Sequence, residues 1–482
     1  MRTAAVARSS RVRPTTGNSM KSATIRRWRR IHTWSGLVCA AFLLVLCVTG
    51  LPLIFATEIE GAPAHEGTSV GMSSKHGMLD EMIAVARARY PAYAPSDISL
   101  DADRSRVLIG LMPLGDAAGR ASRVTVEFDA QTGALYEPRT PDAAETLAHF
   151  VGTMRELHTT LYAGMAGRLV LGIAGLAFVL AMLSGIVLYA PFSRRHAAAA
   201  LDAGRSRRAA WLDLHMLVGV PVFVWALTMG ATGVLNAIAE PLFRTWMVAE
   251  TGRLPKQPPA RRGEQVSVQR AFAAVRAAEP GRRVETVFFP DPHFGSPDHY
   301  MVVTTGATRM SRMLFDIALV DARSGRFDGT LRMPTWLRAI QISRPLHFGN
   351  FGGMPLKIDW ALLDGITFGL VVSGLVLWRE RRRRESSRST ETTSPAQALS
   401  VRRNVSEPWP VPILLGCVTA AALTDALTGD ETARTAAAFA LALPVAVIVC
   451  LLGSRIFDTC VRRSRRAPNE RHAAGGPHRS GE

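Results

Sequence analysis

Six runs of about 20 apolar residues interrupt an otherwise polar chain, at 31–55, 167–191, 211–239, 357–378, 409–427 and 434–456. Each is long enough to cross the hydrocarbon core of a bilayer as a helix. The pattern changes in the two long segments 56–166 and 240–356. Each contains an amphipathic stretch closed by proline, Met78 to Tyr90 before Pro91 and Val266 to Glu279 before Pro280. Strand-like segments rich in β-branched and aromatic residues follow: Arg106 to Leu111 and Arg123 to Phe128 in the first, Val284 to Phe289, Tyr300 to Thr304 and Met313 to Val320 in the second. Each set ends in a tight-turn sequence, Asp129-Ala-Gln-Thr-Gly133 or Asp321-Ala-Arg-Ser-Gly325.

The order span, small α+β domain, span therefore occurs twice. Pro91 and Pro280 are 189 residues apart, and so are His158 and His347. The predicted fold is a mainly α membrane protein. It has a duplicated four-helix core, two α+β external domains (56–166 and 240–356) and a C-terminal helix pair at 409–456 with no counterpart elsewhere. A linker rich in Ser, Thr and Arg, Glu385 to Ser400, precedes that pair. Both repeats cross the membrane in the same sense, which places a site at the repeat interface.

The net charge of +18 over 482 residues sharpens this picture. Basic clusters stand at Arg26 to Arg30, at Arg194, Arg195, Arg205, Arg207 and Arg208, at Arg379 to Arg384, and at Arg462 to Arg466. If the spans alternate, every cluster falls on one side, which the positive-inside rule assigns to the cytoplasm. Residues 1–30, 192–210, 379–408 and 457–482 are then cytoplasmic, as are both termini. The charge reflects topology and anionic headgroups, and no basic folded domain points to nucleic acid. The first run is too long for the h-region of a cleaved signal, although Ala62 and Ala64 mimic a cleavage site. None of the five cysteines lies in an external segment, and no CxxC occurs, so neither a disulfide framework nor covalent haem attachment is indicated.

The chemistry rests on histidine. His32 and His215 each open an apolar run, with Gly36 or Gly219 four residues on and Thr49-Gly50 or Thr232-Gly233 at the far end. His158 and His347 each follow Leu and are followed by Gly164-Met165 or Gly353-Met354, by Arg168 or Lys357, and by Ser184-Gly185 or Ser373-Gly374. Histidine at the edge of a span is costly and is by default a functional candidate. Four at matched depths indicate metal ligands. The plainer alternatives are interhelical hydrogen bonding for the histidines, helix packing for Gly172, Gly175, Gly185 and Gly374, and bonding of the Thr49 and Thr232 hydroxyls into their own helices. His65, His76, His149, His293 and His299 are external, with His293 and His299 in a turn beside Asp291 and Asp298 where they could touch iron or a chelate. His196, His472 and His478 sit in basic segments and look incidental.

The segments Arg29-Arg-Ile-His32-Thr-Trp-Ser-Gly36, Leu157-His158 with Gly167-Arg168, Asp213-Leu-His215-Met-Leu-Val-Gly219 and Leu346-His347-Phe-Gly-Asn-Phe-Gly-Gly-Met354 resemble the PepSY-associated transmembrane family, which includes iron-regulated membrane proteins and ferric-siderophore reductases. The paired FDAQTG and VDARSG turns resemble those of the PepSY domain. The resemblance covers roughly residues 25–385 and implies a four-helix core with external PepSY-like domains. Some members are similar to haem-b proteins that reduce ferric siderophores at the inner membrane.

Haem b iron takes two axial imidazoles, which His32, His158, His215 and His347 would supply. The histidines of one pseudo-symmetric pair most naturally face each other, which would give two haems; pairing between non-equivalent spans stays open, because sequence does not give helix rotation. The nearby Gly36, Gly219, Gly164, Gly349, Gly352 and Gly353 would make room for a flat macrocycle. Arg168 and Lys357 would pair with its propionates or snorkel to headgroups. No GxGxxG follows a strand and there is no P-loop, so the chain has no flavin, nicotinamide or ATP site of its own. The donor would be membrane quinol or a separate reductase. The acceptor would be external, with ferric iron or a ferric siderophore the one the resemblance implies, making the chain oxidoreductase-like. The contrasting reading is a non-redox PepSY scaffold that binds a periplasmic protein or peptide.

Overall fold

The computed structural model describes residues 22–60, 78–101, 105–114, 123–136, 141–199, 207–254, 264–291, 295–388 and 409–466. His65, His76, His293, His472, His478, Ala62, Ala64 and most of the linker 379–408 lie outside the described residues. In chain order the elements are α1 (Ser22–Ile54), α2 (Ala56–Ile59), α3 (Met78–Arg89), β1 (Tyr93–Asp101), β2 (Arg106–Pro113), β3 (Val124–Asp129), α4 (Pro141–Thr160), α5 (Gly164–Ala199), α6 (Arg207–Gly219), α7 (Phe223–Thr251), α8 (Val268–Ala278), β4 (Arg282–Phe288), β5 (His299–Gly306), α9 (Arg309–Arg312), β6 (Phe315–Asp321), β7 (Phe327–Leu331), α10 (Thr335–Phe348), α11 (Gly353–Arg388), α12 (Pro410–Thr428) and α13 (Glu431–Arg466).

Among the described residues, six helices are long and apolar enough to cross a membrane: Ala23–Ile54, Gly164–Tyr189, Phe223–Thr251, Gly353–Arg384, Pro410–Thr428 and Glu431–Ser454. These are the six predicted spans with shifted ends. The third is the most altered. Pro221 lacks an N–H and interrupts the helix between Gly219 and Phe223, so α6, which carries His215, is set off from α7. Helix α1 packs on α5 and α11, α5 packs on α7, and α6 packs on α11. The α5–α7 contact is close because its surfaces are small. A Cβ on Gly175 would stand 3.0 Å from Val234, and one on Gly230 would stand 2.8 Å from Phe178.

The sequence reading expects two external domains, but the strands of both segments join in one antiparallel sheet of order β3-β2-β1-β4-β5-β6-β7. The joint is β1 against β4, with Ile98 opposite Val287, Asp97 opposite Phe288 and Ser99 opposite Thr286. Each strand would otherwise present an unpaired row of backbone groups, and pairing satisfies both. Residues 98 and 287 are 189 apart, the spacing found between the prolines.

Helices α3 and α8 cover one face of the sheet. Their Met82 and Phe272 pack with Ile98, Ile109, Phe128, Val287, Val302 and Val320 in one buried core. The two helices also bind each other reciprocally. The Val268 N–H donates to Asp80 Oδ1, and the Leu79 N–H donates to Gln269 Oε1. Residues 79 and 80 are each 189 from 268 and 269, so the contact maps onto itself when its halves are exchanged. The opposite face of β5 and β6 meets the sheet-proximal part of α7 and α10, where Met301, Ile317 and Leu319 pack with Trp246, Met247, Leu337 and Ile340. This second core fixes the sheet to the bundle.

Candidate metal centres

Of the four sequence-predicted histidines, only His32 lies in one of the six spanning helices; His215 is in α6, which precedes the third, and further off stand His158 and His347. They occupy the last turns of α4 and α10, helices that sequence patterning missed, and each chain then turns sharply into the next span. Gly164 and its counterpart Gly353 open α5 and α11 with φ of +54° and +69°, a conformation that favours glycine. Gly349 caps α10 at φ +65° with its Cα against Trp360. Backbone geometry therefore accounts for these three glycines. Gly36 faces open space.

The four rings form two pairs. His32 faces His215 with ring centroids 6.2 Å apart, and His158 faces His347 at 6.4 Å. These are the pseudo-symmetric pairings. One pair lies at the arginine-rich end of the bundle and the other at the sheet end. The 17 residues of α1 from His32 to Thr49, which touches His158, set them on the order of 25 Å apart along the bundle.

Each imidazole is gripped from a neighbouring helix by a hydroxyl-glycine pair. His158 Nδ1 lies 2.9 Å from Thr49 Oγ1, and His347 Nδ1 lies 3.0 Å from Thr232 Oγ1. His32 Nδ1 is 2.9 Å from the Ala181 carbonyl and 3.2 Å from Ser184 Oγ, and His215 Nδ1 is 2.8 Å from Ser373 Oγ. The glycine that follows each hydroxyl residue lies under the ring. A Cβ there would meet the His Cε1 at 3.1 Å for Gly50, 3.2 Å for Gly185, 3.4 Å for Gly233 and 3.5 Å for Gly374. Gly185 and Gly374 thus pack as expected, but against imidazoles.

The same network sets the tautomer. Each hydroxyl spends its one proton on a carbonyl of its own helix: Thr49 on Val45, Ser184 on Leu180, Thr232 on Thr228 and Ser373 on Leu370. The hydroxyl oxygen can then only accept, so Nδ1 carries the hydrogen and Nε2 keeps a lone pair. A metal-ligating histidine has this arrangement, with the outer nitrogen donating to a fixed acceptor. The Thr49 and Thr232 hydroxyls do bond into their own helices, as the sequence indicates, and they also orient a ring that the sequence does not connect to them.

Arg168 and Lys357 lie at the sheet end, each with a carboxylate. Arg168 is ion-paired with Glu240, and Lys357 Nζ lies 2.8 Å from Glu58 Oε1 and 3.0 Å from Thr57 Oγ1. Their charges are balanced within the protein, and the pairs tie α5 to α7 and α2 to α11. His299 is buried at the start of β5, not exposed in a turn. Its Nδ1 contacts Ser296 (2.9 Å) and Asp298 (3.1 Å), and its Nε2 contacts Asp328 (3.2 Å). Ligand atoms of His299, Asp321 and Asp328 lie within 4.8 Å of one another. With both ring nitrogens engaged by carboxylates, His299 acts as a strut between β5 and β7.

A family model described as the PepSY-associated TM region matches residues 29–381, from just before His32 to the end of the fourth span. An uncharacterised protein of Pseudomonas aeruginosa is 27% identical over 258 residues, which is 47% of this chain and 62% of that protein. The alignment therefore spans less than two thirds of the relative. With the family model matching well over half of its length, this multi-pass chain belongs to the family of the PepSY-associated transmembrane region.

Proposed function

We propose that this is a haem-b electron-transfer protein of the bacterial inner membrane, built from two repeats, with both termini in the cytoplasm and the seven-stranded sheet outside. It takes electrons from membrane quinol or a separate reductase and passes them to an external acceptor, a ferric chelate of the siderophore kind. The observation that carries this reading is the pair of facing, tautomer-fixed imidazole couples at opposite ends of one bundle.

The residues fit the group. His32 with His215, and His158 with His347, would hold the iron, their ring centroids standing 6.2 and 6.4 Å apart. A cavity of about 270 Å³ lined by His32, His215, Gly36, Phe178, Phe223 and Leu370, among others, adjoins the first pair. A flat apolar ligand suits such walls. When bound, haem b supplies one-electron exchange at its iron. The protein's own contribution is orientation and exclusion of water. Thr49, Ser184, Thr232 and Ser373 keep the rings from rotating and hold Nε2 deprotonated, and Gly50, Gly185, Gly233 and Gly374 let them lie close to the helix backbone. Helix α1 contributes to both sites, with His32 at one and Thr49 at the other, so a single rigid element sets their spacing.

The test is the visible spectrum of detergent-purified full-length chain, oxidised and dithionite-reduced, with haem counted per chain. A six-coordinate b-type spectrum near two haems per chain is the expected result. Colourless protein after expression with haem supplied would leave the histidines as interhelical hydrogen-bonding residues and the sheet as a partner-binding scaffold.

A further inference from the structure

Arg29, Arg208 and Arg381 line the same cavity as His32 and His215. They come from three different helices, α1, α6 and α11, and their spacing is regular. Arg29 is three residues before His32, Arg208 seven before His215, and Arg381 seven after Gly374, the glycine beneath His215. Three and seven residues are about one and two helical turns, so each arginine lies on the cavity-facing side of its helix, roughly 5–11 Å nearer the basic end than the imidazoles. The rest of the lining is largely apolar, including Leu43, Phe178, Ile186 and Leu375. Arg208 Nε is buried, and among the described residues it has no hydrogen-bond partner. An unmet buried guanidinium donor is costly and indicates an acceptor that completes the site.

The sheet end differs. Its cations, Arg168 and Lys357, are engaged by Glu240 and Glu58. At the other end, Arg208 keeps an unmet Nε donor among the described residues.

We infer that Arg29, Arg208 and Arg381 form an anchor for the two carboxylates of a flat apolar macrocycle seated between His32 and His215. The inference rests on the haem reading above and adds which site is charge-anchored and by which residues. Guanidinium forks match carboxylates bidentately, and in an apolar cavity such pairs are strong. The apolar walls take the body of the ligand, and the arginine rim fixes which edge points to the basic end.

The experiment compares haem with its dimethyl ester, which has the same ring and iron but no ionised carboxylates. Full-length apoprotein is reconstituted with each, and the rate of loss to excess apomyoglobin is followed in wild type, R208Q, the triple variant R29Q/R208Q/R381Q, and H215A. In wild type, one of two haem populations is expected to leave about tenfold or more faster as the ester than as haem. That difference should shrink in R208Q and vanish in the triple variant. H215A should lack the ester-sensitive population altogether and keep the other. Equal loss of haem and ester from wild type would overturn the anchor while leaving the haem reading intact, and so would an ester-sensitive population that survives the triple substitution. Failure of wild type to bind either ligand would instead overturn the haem reading. The wild-type comparison changes only the ligand, so it does not depend on any variant folding.

Discussion

Thr49 Oγ1 stands 2.9 Å from Nδ1 of His158, 109 residues away, and the next residue, Gly50, would put a Cβ 3.1 Å from the same ring. One dipeptide thus sets both the tautomer and the approach of an imidazole on another helix. The relationship recurs at the other three histidines, which makes the hydroxyl-glycine pair as much a part of the site as the imidazole.

Removing a hydroxyl should loosen its ring without deleting the ligand. T49V or T232V is expected to weaken haem retention at the sheet end by roughly 10–100-fold, the usual effect of losing an outer-shell partner. Haem-transfer kinetics would check it. A change confined to the arginine-rich site would contradict the assignment.

The glycines should follow the clearances beneath each ring. G50A and G185A, at 3.1 and 3.2 Å, should disturb the axial geometry more than G233A and G374A at 3.4 and 3.5 Å. Low-temperature electron paramagnetic resonance of the oxidised protein reads that geometry directly, and a reversed order would count against the packing argument.

Each histidine pair should act as a unit. H32A and H215A are expected to lose the same haem, and H158A and H347A the other, leaving about one of two per chain in every single variant. K357M should keep both, because Lys357 is engaged by Glu58. It should also be better tolerated than E58A, which strands a buried ammonium. Haem per chain and thermal stability in detergent test both statements.

The sheet joint should matter to stability. Ile98 and Val287 are fully buried and face each other at the β1–β4 seam. I98A should cost about 2–5 kcal/mol, visible as earlier proteolysis within the sheet while the haem spectrum stays unchanged.

The two turns after β3 and β6 should give the seven-stranded sheet an acid limit. The Thr132 backbone N–H, helped by the Thr132 hydroxyl and the Gln131 N–H, holds the Asp129 carboxyl below its ordinary value. Burial pushes Asp321 up, but hydrogen bonds from Ser324 and Arg323 outweigh it and hold that carboxyl low as well. Depressed carboxylates stabilise the fold above their unfolded value near 4, and that stabilisation is lost as pH falls further, through the folded values. D129N and D321N should therefore flatten the acid limb of a stability profile, with little change near neutrality.

The sequence by itself determined the spans, the four histidines and their equivalence. These rest on run length, on the cost of polar groups in lipid and on arithmetic spacing, all of which are properties of the chain in one dimension. It also located the amphipathic helices and five of the seven strands, because burial of one face leaves a periodic trace. Helices α4 and α10 were missed; α10 contains Pro345, which breaks its helical signal. Strand β1 carries Pro95 at a shift in its register and β7 is short, so neither gives a regular alternation. Only the tertiary structure decided which histidine faces which, since helix rotation is fixed by packing. Only it joined Thr49 to His158 and Ser184 to His32, placed three distant arginines around one cavity, and merged two expected domains into a single sheet. The contacts of the site cross more than a hundred residues of chain and are set by how helix surfaces interlock, a relation between faces that local patterning does not contain.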